Sequence, residues 1–124
     1  MTTPRTPSII QKPWGVTRNV GWGIWHASIK AGGYSSRHRH LDLHNVFYVV
    51  SGQLQVIEWD GEEKCCHLLE AGGTLLVPEK RWHRFVALTD VELVEHYLGD
   101  NAHSPNFSIE RSDQGGIRQC EYSA

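Results

Sequence analysis

Apolar and polar positions alternate with a two-residue period along most of this chain. Ile24 to Lys30 places Trp25, Ala27 and Ile29 on one face and Ile24, His26, Ser28 and Lys30 on the other, the pattern of a half-buried strand. Val46 to Val50 and Gln53 to Trp59 are rich in β-branched and aromatic residues, and Ser51-Gly52 turns one into the other. Asp60-Gly61 is a hairpin signal, answered by Lys64 to Leu69 as the return strand. Thr74 to Val77 reads as a short strand stopped by Pro78. His83 to Leu88 and Val91 to Leu98 read as two more, separated by Thr89-Asp90. Upstream, Val16 to Val20 precedes the break Gly21-Trp22-Gly23, and Tyr34 to His40 follows the turn Ala31-Gly32-Gly33. No segment sustains a helical period. Short strands with turns every eight to twelve residues or so predict an all-β sandwich or barrel. A double-sheet jelly roll is the natural way to protect so many strand edges.

The ends depart from this pattern. Residues 1–12 hold two prolines, three threonines and few apolar side chains, so they predict a flexible arm. Residues 13–98 form the predicted barrel. Residues 99–124 form a polar C-terminal extension with Ile109 and Ile117 as aliphatic anchors.

A length of 124 residues suits one domain with one core. The net charge of −2 gives no basic footprint for nucleic acid. No apolar stretch approaches the roughly 18 residues needed to span a bilayer, and the N-terminus lacks an apolar signal core, so a cytoplasmic location is expected. Three cysteines cannot all pair within one chain, which fits a reducing compartment. On a strand, Cys65 and Cys66 face opposite ways and make a poor pair of ligands for one ion; Cys120 is expected to be a free thiol.

The candidate chemistry lies between Gly32 and Gly52. His38, His40 and His44 fall within seven residues. On an extended strand, His38 and His40 point to the same face and could aim two ring nitrogens at one ion. The flanking Arg37 and Arg39 point away from it.

These residues resemble the first motif of the cupin family, G-x5-H-x-H-x(3 or 4)-E-x6-G, with Gly32, His38, His40 and Gly52 in the matching places. The second motif, G-x5-P-x-G-x2-H-x3-N, is matched by Gly72, Pro78 and His83. Three positions depart: Asn45 stands at the glutamate place, Lys80 at the second motif's glycine and Ala87 at its asparagine. The resemblance implies a double-stranded β-helix, the cupin jelly-roll barrel, holding a divalent metal inside. A finer resemblance is to the cupin domain of type II mannose-6-phosphate isomerase / mannose-1-phosphate guanylyltransferase. It rests on Pro13-Trp14-Gly15, Val49-Val50-Ser51-Gly52, Leu98-Gly99-Asp100 and Ser108-Ile109-Glu110-Arg111-Ser112-Asp113. A nucleotidyltransferase domain is not expected within these 124 residues.

The metal ligands implied are His38, His40 and His83. Three nitrogen ligands with an open position suit zinc or iron, with nickel or manganese as further candidates; the missing carboxylate disfavours hard ions such as manganese. If Phe47 and Val49 point inward, Asn45 does too and is the fourth candidate, with His44 outside; a bulge would exchange them. On the last strand, Glu95 and Tyr97 share one face and Val94, His96 and Leu98 the other. Glu95, Tyr97 and His96 are therefore all candidates for acid–base work, depending on which face enters the barrel. His26 lies on a polar face. Trp82, beside His83, could stack on a sugar; Trp14, Trp22 and Trp25 are expected in the core or a dimer interface. The expected functions are sugar-phosphate isomerisation on a small polar substrate, a three-histidine iron dioxygenase, or a non-catalytic ligand-binding module. Small cupins commonly pair, so a homodimer is expected.

Overall fold

The computed structural model describes residues 8–105 and 108–118; Cys120 and residues 1–7 of the expected arm lie outside them. In chain order the strands are β1 (Ile9–Lys12), β2 (Gly15–Gly21), β3 (Ile24–Ile29), β4 (Gly33–Tyr34), β5 (His38–His40) and β6 (His44–Ser51). There follow the hairpin β7 (Leu54–Asp60) and β8 (Glu63–Leu69), then β9 (Thr74–Val77), β10 (Trp82–Ala87) and β11 (Val91–Leu98). Two short strands from the C-terminal extension complete the set, β12 (Ile109–Arg111) and β13 (Gly116–Ile117). One sheet runs β1-β2-β3-β11-β6-β9. The other runs β8-β7-β10, after which β5 and β4 share the next place and β12 and β13 the one beyond. These are the two sheets of a jelly roll, as the alternation predicts. No helix among the described residues is long and apolar enough to cross a membrane.

Two segments differ from expectation. Ile9–Lys12, the last part of the expected arm, is a strand in continuous register with β2, from Ile9 opposite Arg18 to Lys12 opposite Gly15. The single strand expected over Tyr34 to His40 is broken between β4 and β5. There Ser35 replaces part of the ladder with its side chain: its Oγ accepts the Phe85 N–H at 3.1 Å while its own N–H donates to the Phe85 carbonyl.

The motif glycines have a steric reason. Gly32 and Gly52 adopt φ of +84° and +89°, and a Cβ there would lie 2.3 Å from the Arg118 carbonyl oxygen and 2.1 Å from that of Asp90. Lys80 adopts the same left-handed region, φ 67°, where the family pattern has glycine. Ala87, at the asparagine place, is simply buried in the core opposite Leu54.

The inward rows of four strands change character in the same direction. On β6 the row runs Val49, Phe47, Asn45; on β11 it runs Leu93, Glu95, Tyr97, each residue directly opposite its counterpart. On β10 it runs Ala87, Phe85, His83, opposite Leu54, Val56 and Glu58 of β7. One end of the barrel is thus packed with aliphatic and aromatic side chains, joined by Trp14 edge-on to Phe85 at 5.1 Å. The other end is lined with polar groups. Trp22 does not join the core: it is 71% exposed and stacks on His103.

Candidate metal centre

β5 and β10 place the three histidines. His83 lies directly opposite His38 across the antiparallel ladder, and His40 follows two residues along on the same face. One ring nitrogen from each of His38, His40 and His83 lies within 4.8 Å of the others. Among the described residues no carboxylate or thiol joins this group.

Backbone carbonyls fix which nitrogen faces which way. The Nδ1 of His38, His40 and His83 sit 2.8, 3.0 and 2.9 Å from the carbonyl oxygens of Ser36, Pro105 and Arg81. A carbonyl only accepts, so each Nδ1 carries the proton and each Nε2 presents a bare lone pair. The Nε2 atoms of His40 and His83 are buried and have no partner among the described residues. Burial is the main force keeping these rings neutral. It holds His38 well below the ordinary histidine range, with further lowering by His83 and His40. It also lowers His40 and His83 to about 4, against the opposing pull of the Pro105 and Arg81 carbonyls. Three neutral, convergent, pre-oriented imidazoles fit a divalent ion.

Asn45 points into the same end of the barrel, at 1% exposure, and both its amide oxygen and its amide nitrogen lack a protein partner among the described residues. Leaving a buried amide unpaired costs on the order of 1–3 kcal/mol, so this side chain too is suited to a ligand or water. Next to it on β11, Tyr97 stands edge-on to His40, ring centres 5.2 Å apart, and donates its hydroxyl to Glu95 at 2.8 Å. Burial raises Glu95 to about 7, opposed by the Tyr97 hydrogen bond and by Lys12. Burial and the Glu95 charge together hold the Tyr97 phenol well above its ordinary value. A cavity of about 110 Å³ reaches part of this cluster, lined by His38, His40, Glu95, Tyr97, Lys12 and Arg111 among others, while His83 and Asn45 lie outside its lining.

The family model for a cupin domain matches residues 25–97, which include all three histidines, Asn45, Glu95 and Tyr97. This chain belongs to the cupin family. No curated protein matches it closely. Among solved structures, the cupin superposes on oxalate decarboxylase from Bacillus subtilis at pH 4.6 with a TM-score of 0.70 and 18% identity, covering 86% of this chain and 30% of that one. A structure of the same enzyme solved in work on its Mn(II) centres gives 0.67 and 17%, covering 82% and 28%. A recombinant oxalate oxidase in complex with glycolate gives 0.62 and 17%, covering 77% and 45%. The cupin thus spans less than half of each of these chains, and identities this low speak for the fold alone.

The structure sorts the remaining sequence candidates of the cupin. Glu95 and Tyr97 enter the barrel; His96, from the opposite face of the same strand, is exposed and does not line the cavity. Pairing with β3 and β6 sets Val91 and Leu93 on the inner face, and Glu95 and Tyr97 share it by alternation. His44 points out and accepts the Glu79 N–H on Nδ1 at 3.1 Å. The bulge that could have exchanged it with Asn45 falls elsewhere, between Glu92 and Leu93. Trp82 does not line the cavity: it lies on the outer face, with the Arg39 guanidinium 5.0 Å from its ring. His26 is also outside, 3.2 Å from Glu92. Glu58, the buried carboxylate opposite His83, is engaged by His67 at 2.6 Å and by Arg81 at 3.6 Å. Sequence reasoning missed Lys12 and Arg111. The usable signal for Arg111 was its two-residue spacing from Ile109, which puts both on the face that meets the cavity.

Proposed function

We propose that this cupin is a metal-dependent enzyme that moves a proton on a small polar hydroxy-carbonyl compound, with sugar-phosphate isomerisation as the specific version. The observation that carries this reading is the convergence of three neutral Nε2 atoms, with two of the rings, His38 and His40, lining the same cavity as the hydrogen-bonded Glu95–Tyr97 pair. His38, His40 and His83 would hold the ion, with Asn45 as a fourth, weaker oxygen donor. An ion held there supplies Lewis acidity toward a hydroxyl or carbonyl oxygen. Zinc or iron suits a nitrogen-rich donor set better than manganese does. Glu95 is the base: a carboxyl whose proton leaves at about pH 7 can both accept and return a proton near neutrality. Tyr97 orients that carboxyl through its 2.8 Å hydrogen bond. Buried Phe85 and half-buried Trp25 and Ile109 supply an apolar part of the cavity wall. The short segments resembling the type II mannose-6-phosphate isomerase group support the sugar-phosphate version.

The test is metal analysis of protein purified without chelator or histidine tag, followed by chelation, readdition and assay across aldose and ketose phosphates. We expect turnover that disappears with the metal and returns with it. Glu95→Gln should lower it roughly 10²- to 10⁴-fold. Silence across the whole panel would sink the isomerase version. The all-nitrogen ligand set, with an amide at the glutamate place, favours a ferrous dioxygenase as the second reading; oxygen uptake by iron-loaded protein would select it. Ligand binding without turnover in either assay would select a binding module.

We also propose that the cupin is a homodimer. The outer face of the β1-containing sheet supports this, since it exposes Tyr48, Val50, Leu76 and Leu98. A monomer by light scattering at micromolar concentration would refute it.

A further inference from the structure

Glu58 is a buried carboxylate that does not line the cavity. It follows Leu54 and Val56 on the inward row of β7, directly opposite His83 of β10, where an aliphatic side chain would continue the core. A buried charge is costly unless it is paired, and both oxygens of Glu58 are engaged. His67 of β8 donates from Nε2 to Oε2 at 2.6 Å. Oε1 faces the Arg81 guanidinium at 3.6 Å. Arg81 is also the residue whose carbonyl lies 2.9 Å from His83 Nδ1. It closes the turn 78–81 just ahead of β10. The Lys80 N–H ties that turn to the His40 carbonyl at 2.6 Å, but the Arg81 N–H reaches the Pro78 carbonyl only at 3.3 Å, a long bond. The Arg81 end of the turn is therefore the looser one in the backbone, and the ion pair to Glu58 anchors it.

We propose that Glu58 is a positioning residue for His83: by holding Arg81, it holds the carbonyl that keeps the proton on Nδ1 and leaves Nε2 bare toward the other two histidines. The proposal deepens the reading of the three histidines as metal ligands and rests on it for what that nitrogen meets. A neutral imidazole has one bare nitrogen. If the Arg81 carbonyl moves away, nothing keeps the proton on Nδ1, and a proton on Nε2 blocks coordination. His67 supports the arrangement, since its hydrogen bond fixes the carboxylate from the β8 side and leaves Oε1 to Arg81. The β7–β8 hairpin, which carries none of the three histidines, then sets the orientation of one of them.

The test uses the full chain stripped of metal by chelator. Nitrogen NMR of the histidine side chains reads the His83 tautomer, and zinc titration against a competing chromophoric chelator reads affinity. We expect a single tautomer at His83, protonated on Nδ1, in the unaltered chain. Glu58→Gln and Arg81→Met should each mix the two tautomers and weaken zinc binding roughly 10- to 100-fold. The double variant should be no worse than either alone, because both cut the same link, and Arg81→Lys should recover part of the loss. Thermal melting shows which variants fold. Arg81, whose side chain is 36% exposed, keeps the test open if Glu58→Gln does not. Weaker zinc binding in Glu58→Gln with Arg81→Met unaffected would mean that the Glu58 charge acts on the site directly, and overturns the positioning role. An unchanged His83 tautomer in Arg81→Met overturns it as well. A tautomer shift in the variants of a chain that takes up no zinc keeps the positioning role and removes the metal reading.

Discussion

Asn45 is where one side chain decides most. It stands inside the barrel, opposite Tyr97, with both amide atoms lacking a protein partner among the described residues. Replacing it by aspartate puts a hard, charged oxygen beside three imidazoles. We expect Asn45→Asp to shift the metal taken up from a mixed-metal medium toward manganese. In the metal-free protein the same change should destabilise by on the order of 1–3 kcal/mol, because the new carboxyl is buried without a partner; elemental analysis and urea unfolding check the two halves. Lys80 offers a cleaner test. Its left-handed φ of 67° costs a side chain about 1–2 kcal/mol, against roughly 0.4–1 kcal/mol of unfolded-state entropy gained by glycine. Lys80→Gly should therefore stabilise by up to about 1 kcal/mol, read as a higher urea midpoint. At this scale the sequence was most legible where alternation had apolar neighbours to anchor it. Phe47 and Val49 fixed Asn45 inward and His44 outward. It was least legible on Val91–Leu98, where each face mixes apolar and titratable residues, and only pairing with β3 and β6 separates Glu95 from His96.

At the scale of elements, the strands of the barrel follow from period and turn chemistry, because half-buried antiparallel strands write themselves into the sequence. The terminal strands do not. β1, β12 and β13 are two to four residues long, and such lengths carry no period. They are strands because a sheet edge is there to receive them. The C-terminal pair is pinned by Asp113, which accepts the Arg37 N–H at 2.9 Å and the Arg84 guanidinium. Asp113→Ala should leave the barrel folded, cost on the order of 1–2 kcal/mol for a partly exposed charge-assisted pair, and speed amide exchange in β12 and β13 selectively. Uniform acceleration across all strands would contradict that role.

For the whole molecule, pH sets opposing demands. His40 and His83 titrate near 4 when folded and His38 well below its ordinary value, against 6.5 unfolded. Between those values the unfolded chain binds the protons, so stability falls as pH drops below about 6.5. Glu95 works in reverse: at about 7 folded against 4.5 unfolded, it holds a proton in the native state and loses stability as pH rises through that window. Three histidines outweigh one carboxyl. Among these groups, stability of the metal-free protein should therefore rise up to about pH 7, level off above it and weaken steeply toward pH 4.5; urea midpoints against pH in chelator will show it. A maximum near pH 5 would mean that the histidines are not buried as described.

The placement of β1 and β12 on one cavity also has a temporal side. The three histidines lie within 46 positions of one another in sequence, from His38 to His83, and their strands pair directly. The cavity wall, by contrast, draws on both Lys12 and Arg111. Contacts between segments so far apart close late, because their loop entropy is met only after the intervening chain has condensed. On a growing chain, the histidine cluster can assemble before Arg111 has been made. The three imidazoles would then meet first, and the cavity wall beside them would close only after the chain is complete through β12.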